Sequence, residues 1–256
     1  MCHAFDALPP IAPLAGAAVD SEDLTLTSAD GTPFAACLAR AARTGGAGMV
    51  VLPDVRGLFR FYEELALRFA EQGISSVAID YFGRTAGVGK RDEAFPFMEH
   101  VMQTKAGNIV ADVAAAVAYL RSPEGGGCSS VFTVGFCFGG SNSWLQAAGG
   151  HGLAGAIGFY GRPGAGRDGS PGPAQRAAEF GCPVLALFGG ADQGIPADQV
   201  SEFDDALKAA GIEHDVVVYP GAPHSFFDRS FEQHAEAAGD AWQRVLAFVG
   251  KHSGQA

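Results

Sequence analysis

The sequence predicts a single α/β domain with a mostly parallel central sheet, helices on both of its faces and an antiparallel hairpin at its N-terminal edge. Short, continuously apolar runs such as residues 49–52 and 183–188 are typical of strands that are buried on both faces of a parallel sheet. They alternate with longer segments that carry apolar residues at helical spacing, which is the pattern of βαβ units. With 48% hydrophobic and 18% charged residues, the 256-residue chain suits one well-buried globule.

The predicted elements follow in order along the chain. Residues 1–22 are expected to form a surface segment, and residues 23–252 a single domain. The domain opens with a hairpin, because turn residues 29–33 separate two alternating runs. Strands are predicted at 49–52, 75–79, 130–134, 154–160, 183–188 and 214–219, helices at 59–72, 108–121, 196–210 and 232–251, and loops at 44–48, 80–89 and 162–173.

Composition excludes several classes of function. A net charge of −11 argues against nucleic-acid binding and against binding to anionic membranes, since both need a basic surface. The N-terminus does not have the pattern of a secretory signal, and no apolar stretch is long enough to span a bilayer, so we expect a cytoplasmic protein. The cysteines are odd in number and scattered, without the spacing of zinc ligands, which predicts neither a disulfide framework nor a metal site: Cys2, Cys37, Cys128, Cys137 and Cys182.

The stretch 131–140 carries the strongest chemical signal. A β-prone run ends at Gly135, presents Cys137, and passes through Gly139 into a helical segment, which fits a G-x-nucleophile-x-G elbow with cysteine as the nucleophile. The glycines allow the close packing that such a turn needs. The free N–H groups of the helix would lower the thiol pKa, and that of Phe138 would be an oxyanion donor. The alternative is a structural thiol beside glycines that only pack a helix on a sheet.

Two further residues complete a predicted catalytic triad. Asp192 follows the strand that ends at 188, and His224 follows the last strand, so both lie at strand carboxyl ends with Cys137. The chain order nucleophile, acid, histidine is that of α/β-hydrolases. Asp198 and Asp215 compete for the acid role, and a turn aspartate is the alternative for Asp192. The other histidines are interpreted as surface groups: His3, His100, His151, His214, His234 and His252.

With these residues the sequence resembles the dienelactone hydrolase family of α/β-hydrolases. The elbow at 135–140, Gly-Gly-Ala-Asp at 189–192 and Gly-Ala-Pro-His-Ser-Phe at 221–226 carry the resemblance, together with 53–57 and 80–84. It covers the core from about residue 49 to the C-terminus. It implies a Cys137-His224-Asp192 triad that opens an enol-lactone ring without a cofactor or a metal.

The resemblance also implies roles for residues around the triad. The backbone N–H groups of Val55 and Phe138 would form the oxyanion hole. Asp54, where the family usually has glutamate, would modulate the thiol. Two arginines would bind a substrate carboxylate: Arg84 matches the first position, and Arg229 lies one residue away from the second, next to Asp228. Arg56 is a further candidate cation, and a surface arginine is the alternative for each.

Three hypotheses of function follow. The first is a cysteine hydrolase of small carboxylate-bearing lactones or esters that acts in aromatic-compound degradation, as a monomer or a homodimer. The second is a broader carboxylesterase or thioesterase on the same triad, and the third is a non-catalytic binding or stress protein that kept the hydrolase core. The response of anionic and neutral substrates to removal of the Arg84 charge would separate the first two, and the reactivity of Cys137 would test the third.

Overall fold

The computed structural model describes residues 6–14, 19, 21–43, 45–166 and 169–254. Within these ranges the chain forms an eight-stranded sheet. Its strands are β1 (Ser21–Thr27), β2 (Pro33–Ala39), β3 (Ala47–Leu52), β4 (Ser75–Ile79), β5 (Ser130–Phe136), β6 (Gly155–Phe159), β7 (Val184–Gly189) and β8 (His214–Tyr219). The helices are α1 (Arg60–Glu71), α2 (Gly83–Ala86), α3 (Phe97–Val101), α4 (Ala106–Arg121), α5 (Phe138–Gln146), α6 (Pro173–Arg176), α7 (Ala197–Ala209) and α8 (Ala235–His252).

The strand order β1-β2-β4-β3-β5-β6-β7-β8 confirms the predicted sheet. Strands β3 to β8 pair in parallel, whereas the hairpin of β1 and β2 is antiparallel and joins the sheet through β4. Every residue of β3, β4, β6 and β7 is buried, which explains why these strands are mainly apolar, with Ser75 and Ser76 of β4 as buried exceptions. The central strands therefore form the core of the protein.

Helices cover both faces of the sheet. Two consecutive residues of β5 point to opposite faces: Phe132 contacts Phe248 of α8, and the Thr133 hydroxyl bonds with Ser143 of α5. On the α8 face, the helix also packs on α1, with the rings of Trp242 and Phe69 4.9 Å apart. This double covering buries the central strands and leaves the loops at the strand ends free to build a site.

Some local predictions were wrong. The segment 80–89 was predicted as loop but contains α2, and α3 and α6 were not predicted. These helices are four or five residues long, too short for a helical repeat of apolar residues to show in the sequence. The hairpin begins at Ser21, within residues 1–22, which were predicted to form a surface segment outside the domain. Pro9 of that segment is buried, while Cys2 and His3 lie outside the described residues.

Candidate active site

The carboxyl ends of four neighbouring strands meet at one edge of the sheet. The register pairs Phe136 with Phe159, and Phe159 with Leu187, while β7 and β8 end together at Gly189 and Tyr219. The loops that follow these strands therefore lie side by side. They carry the three predicted triad residues and one residue that sequence reasoning missed: Cys137, Tyr160, Asp192 and His224.

The elbow has the strained backbone that its sequence predicts. Cys137 lies between β5 and α5 with φ 56° and ψ −114°, a conformation that costs a non-glycine residue about 1–3 kcal/mol. A Cβ atom on Gly135 would lie 1.9 Å from the carbonyl oxygen of Gly139, and one on Gly139 would lie 2.1 Å from that of Leu52. Both glycines are therefore required sterically, and their packing holds the thiol above the sheet at the start of a helix.

Asp192 and His224 form the second half of the arrangement. The His224 Nδ1–H donates to Asp192 Oδ2 over 2.6 Å, and the Gly194 N–H donates to the other carboxylate oxygen over 2.8 Å. The Asp192 side chain is buried, at 3% exposed, which makes this contact stronger than one in water. Asp192 thus fixes the tautomer of the imidazole, so that Nε2 is the nitrogen available for chemistry.

The imidazole of His224 is also hydrogen-bonded to the Cys137 side chain. Burial of the ring opposes its protonation, but the hydrogen bonds with Asp192 and Cys137, together with their charges, outweigh burial and raise the pKa of His224 to about 10. At neutral pH this favours the imidazolium form of His224, beside Asp192 and the Cys137 sulfur. The geometry therefore suits nucleophilic attack by sulfur.

The start of α5 lies against the end of β3. Gly139 makes a close approach to the carbonyl oxygens of Leu52 and Pro53, and the Tyr81 hydroxyl donates to the Pro53 carbonyl over 2.7 Å while its ring packs on Phe138. Phe138 is the first residue of α5, where backbone N–H groups have no partner within the helix. The oxyanion hole of Val55 and Phe138 stays a prediction, and this packing brings the two segments that carry those N–H groups together.

Asp54 and Arg56 form a buried ion pair beside this turn. Arg56 Nη2 lies 2.7 Å from Asp54 Oδ2, and the Arg56 backbone N–H donates to Asp54 Oδ1 over 2.8 Å. The guanidinium also lies over the ring of Phe59, 4.4 Å from its centroid. The predicted roles of Asp54 as an acid near the thiol and of Arg56 as a substrate cation remain predictions. In this structure the two charges neutralise each other.

The two predicted substrate arginines lie in different surroundings. Arg84, in α2, donates through Nε to Asp30 in the β1–β2 turn at 2.9 Å, and through Nη1 to the buried Asp112 of α4 at 2.8 Å. Arg229 is exposed, and its backbone N–H donates to Asp228. Both substrate-binding roles stay predictions. Arg84 already has two carboxylate partners, which weakens its attraction for a third.

Asp228 is buried, although the sequence suggested no role for it beyond its place next to Arg229. Its carboxylate accepts a hydrogen bond from the Tyr160 hydroxyl over 2.6 Å. Burial raises the pKa of Asp228 to about 7, the hydrogen bonds from Tyr160 and the Arg229 N–H oppose this, and the nearby Asp54 charge raises it further. No motif marks Tyr160, although its place directly after a central strand, at the edge that carries the triad, could have drawn attention to it.

The competing candidates lie elsewhere. Asp215 forms an exposed ion pair with Arg244, and Asp198 lies in the first turn of α7. The surface interpretation was wrong for four histidines: the ring of His100 stacks on Phe95, His151 is half-buried and bonds with Gln146, and the side chains of His214 and His252 are each 12% exposed. Within the described ranges, no three His, Cys, Asp or Glu residues cluster to hold a metal ion, and no helix combines the length and apolarity needed to cross a bilayer.

Sheet, helices and strand-end loops together define an α/β-hydrolase. Residues 34–253 match the model of the dienelactone hydrolase family, and the chain belongs to that family. Its members act on esters and lactones, and this chain is such a hydrolase.

Relatives of this chain share most of their length with it. It is 30% identical over 207 residues to the "Putative carboxymethylenebutenolidase" of Yersinia pestis, covering 80% of this chain and 78% of the relative. A protein of the same name from Salmonella typhimurium is 29% identical over 265 residues, covering 99% and 98%.

Solved structures of other proteins are similar to this chain over most of its length. The "Putative Dienelactone Hydrolase" of Klebsiella pneumoniae is 28% identical, with a TM-score of 0.80 over 91% of this chain and 99% of that one. A dienelactone hydrolase-like promiscuous phosphotriesterase from metagenomic libraries, 20% identical with a TM-score of 0.77 over 92% and 99%, shares the fold.

Proposed function

We propose that this hydrolase uses Cys137 as its nucleophile, with His224 and Asp192 as the other members of the triad. The observation that carries the proposal is the position of His224, whose imidazole is hydrogen-bonded to both the Asp192 carboxylate and the Cys137 thiol. An imidazole held between an acid and a nucleophile is the arrangement of nucleophilic acyl transfer on many folds.

The reaction has two halves. The Cys137 thiolate attacks the carbonyl carbon of the ester or lactone, and the negative charge that develops on the carbonyl oxygen is stabilised by the N–H groups of Val55 and Phe138. The carbon–oxygen bond then breaks, and the His224 imidazolium gives its proton to the leaving oxygen, which leaves a thioester. Water attacks the thioester with His224 as the base, and the thiolate leaves as the carboxylic acid is released.

Carboxylate-bearing enol-lactones are the first candidate substrates. The names of the relatives support them, since carboxymethylenebutenolide is a lactone with a free carboxylate. Within this chain, Arg229 is exposed and lies five residues after His224, whereas Arg56, next to Val55, already pairs with Asp54. Bidentate hydrogen bonds from a guanidinium would hold a substrate carboxylate and orient the ring. In this proposal the enzyme needs no cofactor, and its partner is the small anionic substrate.

Neutral small esters are the second candidate, and a specific observation favours them. Arg84 is paired with Asp30 and Asp112, and a carboxylate, Asp228, lies four residues after His224. With its charge already balanced by Asp30 and Asp112, Arg84 attracts an anionic substrate weakly, whereas a neutral ester does not need that attraction. The chain would then be a broader carboxylesterase on the same triad.

Steady-state hydrolysis of cis- and trans-dienelactone and of p-nitrophenyl acetate tests both candidates. We expect Cys137→Ala to lose activity on every substrate that the wild type turns over, by at least about 10³-fold. Dienelactone turnover that falls more than acetate turnover in Arg229→Met would support the anionic class. Turnover of the acetate alone would assign the neutral class, and turnover by Cys137→Ala at the wild-type rate would reject the proposed nucleophile.

A further inference from the structure

Tyr160 contacts both ends of the loop that carries the catalytic histidine. Its ring packs against the imidazole of His224, with the centroids 5.0 Å apart and the planes inclined at 56°. Its hydroxyl donates to Asp228 Oδ2 over 2.6 Å. His224 and Asp228 are four residues apart, so one tyrosine touches the first and the last residue of the short segment 224–228.

The backbone of this segment bends so that both contacts are possible. Ser225 adopts φ 62°, in the left-handed region that a non-glycine residue rarely occupies, and the Asp228 N–H donates back to the Ser225 carbonyl over 3.2 Å. The turn returns Asp228 to the interior, where its side chain is buried. The loop is thus folded around the tyrosine.

Tyr160 is itself fixed by the sheet. It directly follows β6, and its N–H donates to the Leu187 carbonyl of β7 over 2.8 Å. It is fully buried and its backbone has φ 37°, also in the left-handed region. A residue keeps such a conformation only where its surroundings determine it, and strain of this kind concentrates at functional sites.

The Nδ1 hydrogen bond alone does not fix the plane of an imidazole. Asp192 holds one atom of the ring, about which the plane can still tilt, whereas the hydrogen bond with Cys137 needs a defined direction for Nε2. A rigid ring packed against the imidazole supplies the missing constraint. Tyr160 is in that place, and its own orientation is set by the Asp228 carboxylate.

We propose that Tyr160 and Asp228 form a positioning pair that holds the His224 imidazole in line with Cys137. The inference deepens the proposed function, since it rests on the Cys137-His224-Asp192 triad. Tyr160 acts through His224 and is not assigned a contact with substrate. The resemblance to the family places a substrate-binding arginine four residues after the histidine. In this chain Asp228 occupies that position, and its carboxylate helps to position His224.

The test compares Tyr160→Phe with Tyr219→Phe. Each substitution removes one hydroxyl that donates to an aspartate and keeps the ring. The Tyr219 hydroxyl donates to Asp240 over 2.8 Å, and its ring contacts Phe226, not His224. Tyr219 is therefore a matched control for the loss of a tyrosine–aspartate hydrogen bond near the same loop. Asp228→Ala, which removes the acceptor, is the second variant.

Two readouts separate positioning from a loss of stability. The first is kcat and KM on whichever ester or lactone the wild type hydrolyses. The second is the rate of Cys137 alkylation by iodoacetamide as a function of pH, followed by mass spectrometry, because it reports the thiolate–imidazolium contact without turnover. We expect Tyr160→Phe to lower kcat about tenfold or more with KM within about twofold, since small misplacements of catalytic groups are costly. We also expect it to move the alkylation midpoint to higher pH.

The outcomes are distinct. Wild-type kcat and alkylation in Tyr160→Phe would overturn the inference, and so would an equal loss in Tyr219→Phe. If Asp228→Ala does not fold, Tyr160→Phe decides by itself, since it keeps the ring that packs in the core. If Cys137→Ala keeps full turnover, the proposed nucleophile is wrong, but the alkylation profile still shows whether Tyr160 directs His224 toward the thiol.

Discussion

The buried aspartates of the described residues fall into two groups, which differ in what holds them. On the side of the hairpin and β4, each carboxylate has a guanidinium: Asp112 has Arg84, Asp80 has Arg91 and Asp54 has Arg56. On the side of β6 to β8, Asp192 is held by an imidazole and a backbone N–H, and Asp228 by a phenol and a backbone N–H. The first arrangement neutralises charge and joins elements, whereas the second leaves a carboxylate able to influence a neighbouring ring.

The comparison teaches where charge is available for chemistry. The charge of a carboxylate paired with arginine is balanced by that partner and has little effect on other groups. Breaking the pair leaves a buried charge without a partner. A carboxylate without an arginine partner acts instead on a group that can gain or lose a proton. Asp192 favours protonation of His224, and Asp228 can itself take up a proton. We therefore expect substitutions in the first group to change stability more than activity, and those in the second to do the reverse or to change the pH response.

The largest effect is expected from Asp192→Asn. The asparagine keeps the shape but removes the charge that stabilises the imidazolium and its tautomer, so kcat should fall on the order of 10²- to 10⁴-fold. Steady-state kinetics on an ester or lactone substrate measure it. Asp198→Asn, in the exposed first turn of α7, is the control and should keep wild-type kinetics. A loss below threefold in Asp192→Asn would remove it from the triad.

The second effect concerns pH. The pKa of Asp228 is raised from 3.8 to about 7. Between these two pH values the folded state keeps a proton that the unfolded state has lost. Stability therefore falls as pH rises from about 4 to 7, by up to roughly 4 kcal/mol at about 1.4 kcal/mol per pKa unit. Urea unfolding at pH 4.5, 6 and 8 should show this decline in the wild type and a flatter curve in Asp228→Asn.

Asp240→Asn is the control for that experiment. The hydrogen bonds from Arg244 and Tyr219 lower the pKa of this exposed carboxylate, so its contribution is present above about pH 4 and has the opposite sign. Parallel curves for the wild type and Asp228→Asn would show that the buried carboxyl does not take up a proton on folding.

The third prediction concerns the buried aspartates that are paired with arginine. Arg84→Met leaves Asp112 buried without its guanidinium, and we expect the free energy of unfolding to fall by about 3 kcal/mol. Arg40→Met breaks an ion pair with Glu22 whose side chains are 47% and 57% exposed, and should cost at most about 1 kcal/mol. Equal effects of the two substitutions, measured by chemical denaturation, would contradict the assignment of Arg84 to the structure of this edge.

The sequence reading worked where a local pattern has one physical meaning. Continuous apolar runs predicted the parallel strands, and the position of Cys137, Asp192 and His224 after strand ends predicted that their loops would share an edge. It failed where the meaning depends on distant partners. The acceptor for Tyr160 lies 68 residues along the chain, and the aspartates of Arg84 lie 54 and 28 residues away, so neither an anchored ring nor a neutralised cation was visible in the sequence.

The packing of the elbow has a consequence for how such enzymes can change. The turn is shaped by contacts between backbone atoms of Gly135, Gly139 and the end of β3, none of which involves the side chain at position 137. A hydroxyl in place of the thiol would meet the same helix start and the same imidazole. One nucleotide change separates a cysteine codon from a serine codon. A single mutation can therefore exchange a sulfur nucleophile for an oxygen nucleophile without disturbing the turn. Selection between the two then acts on reactivity and not on folding.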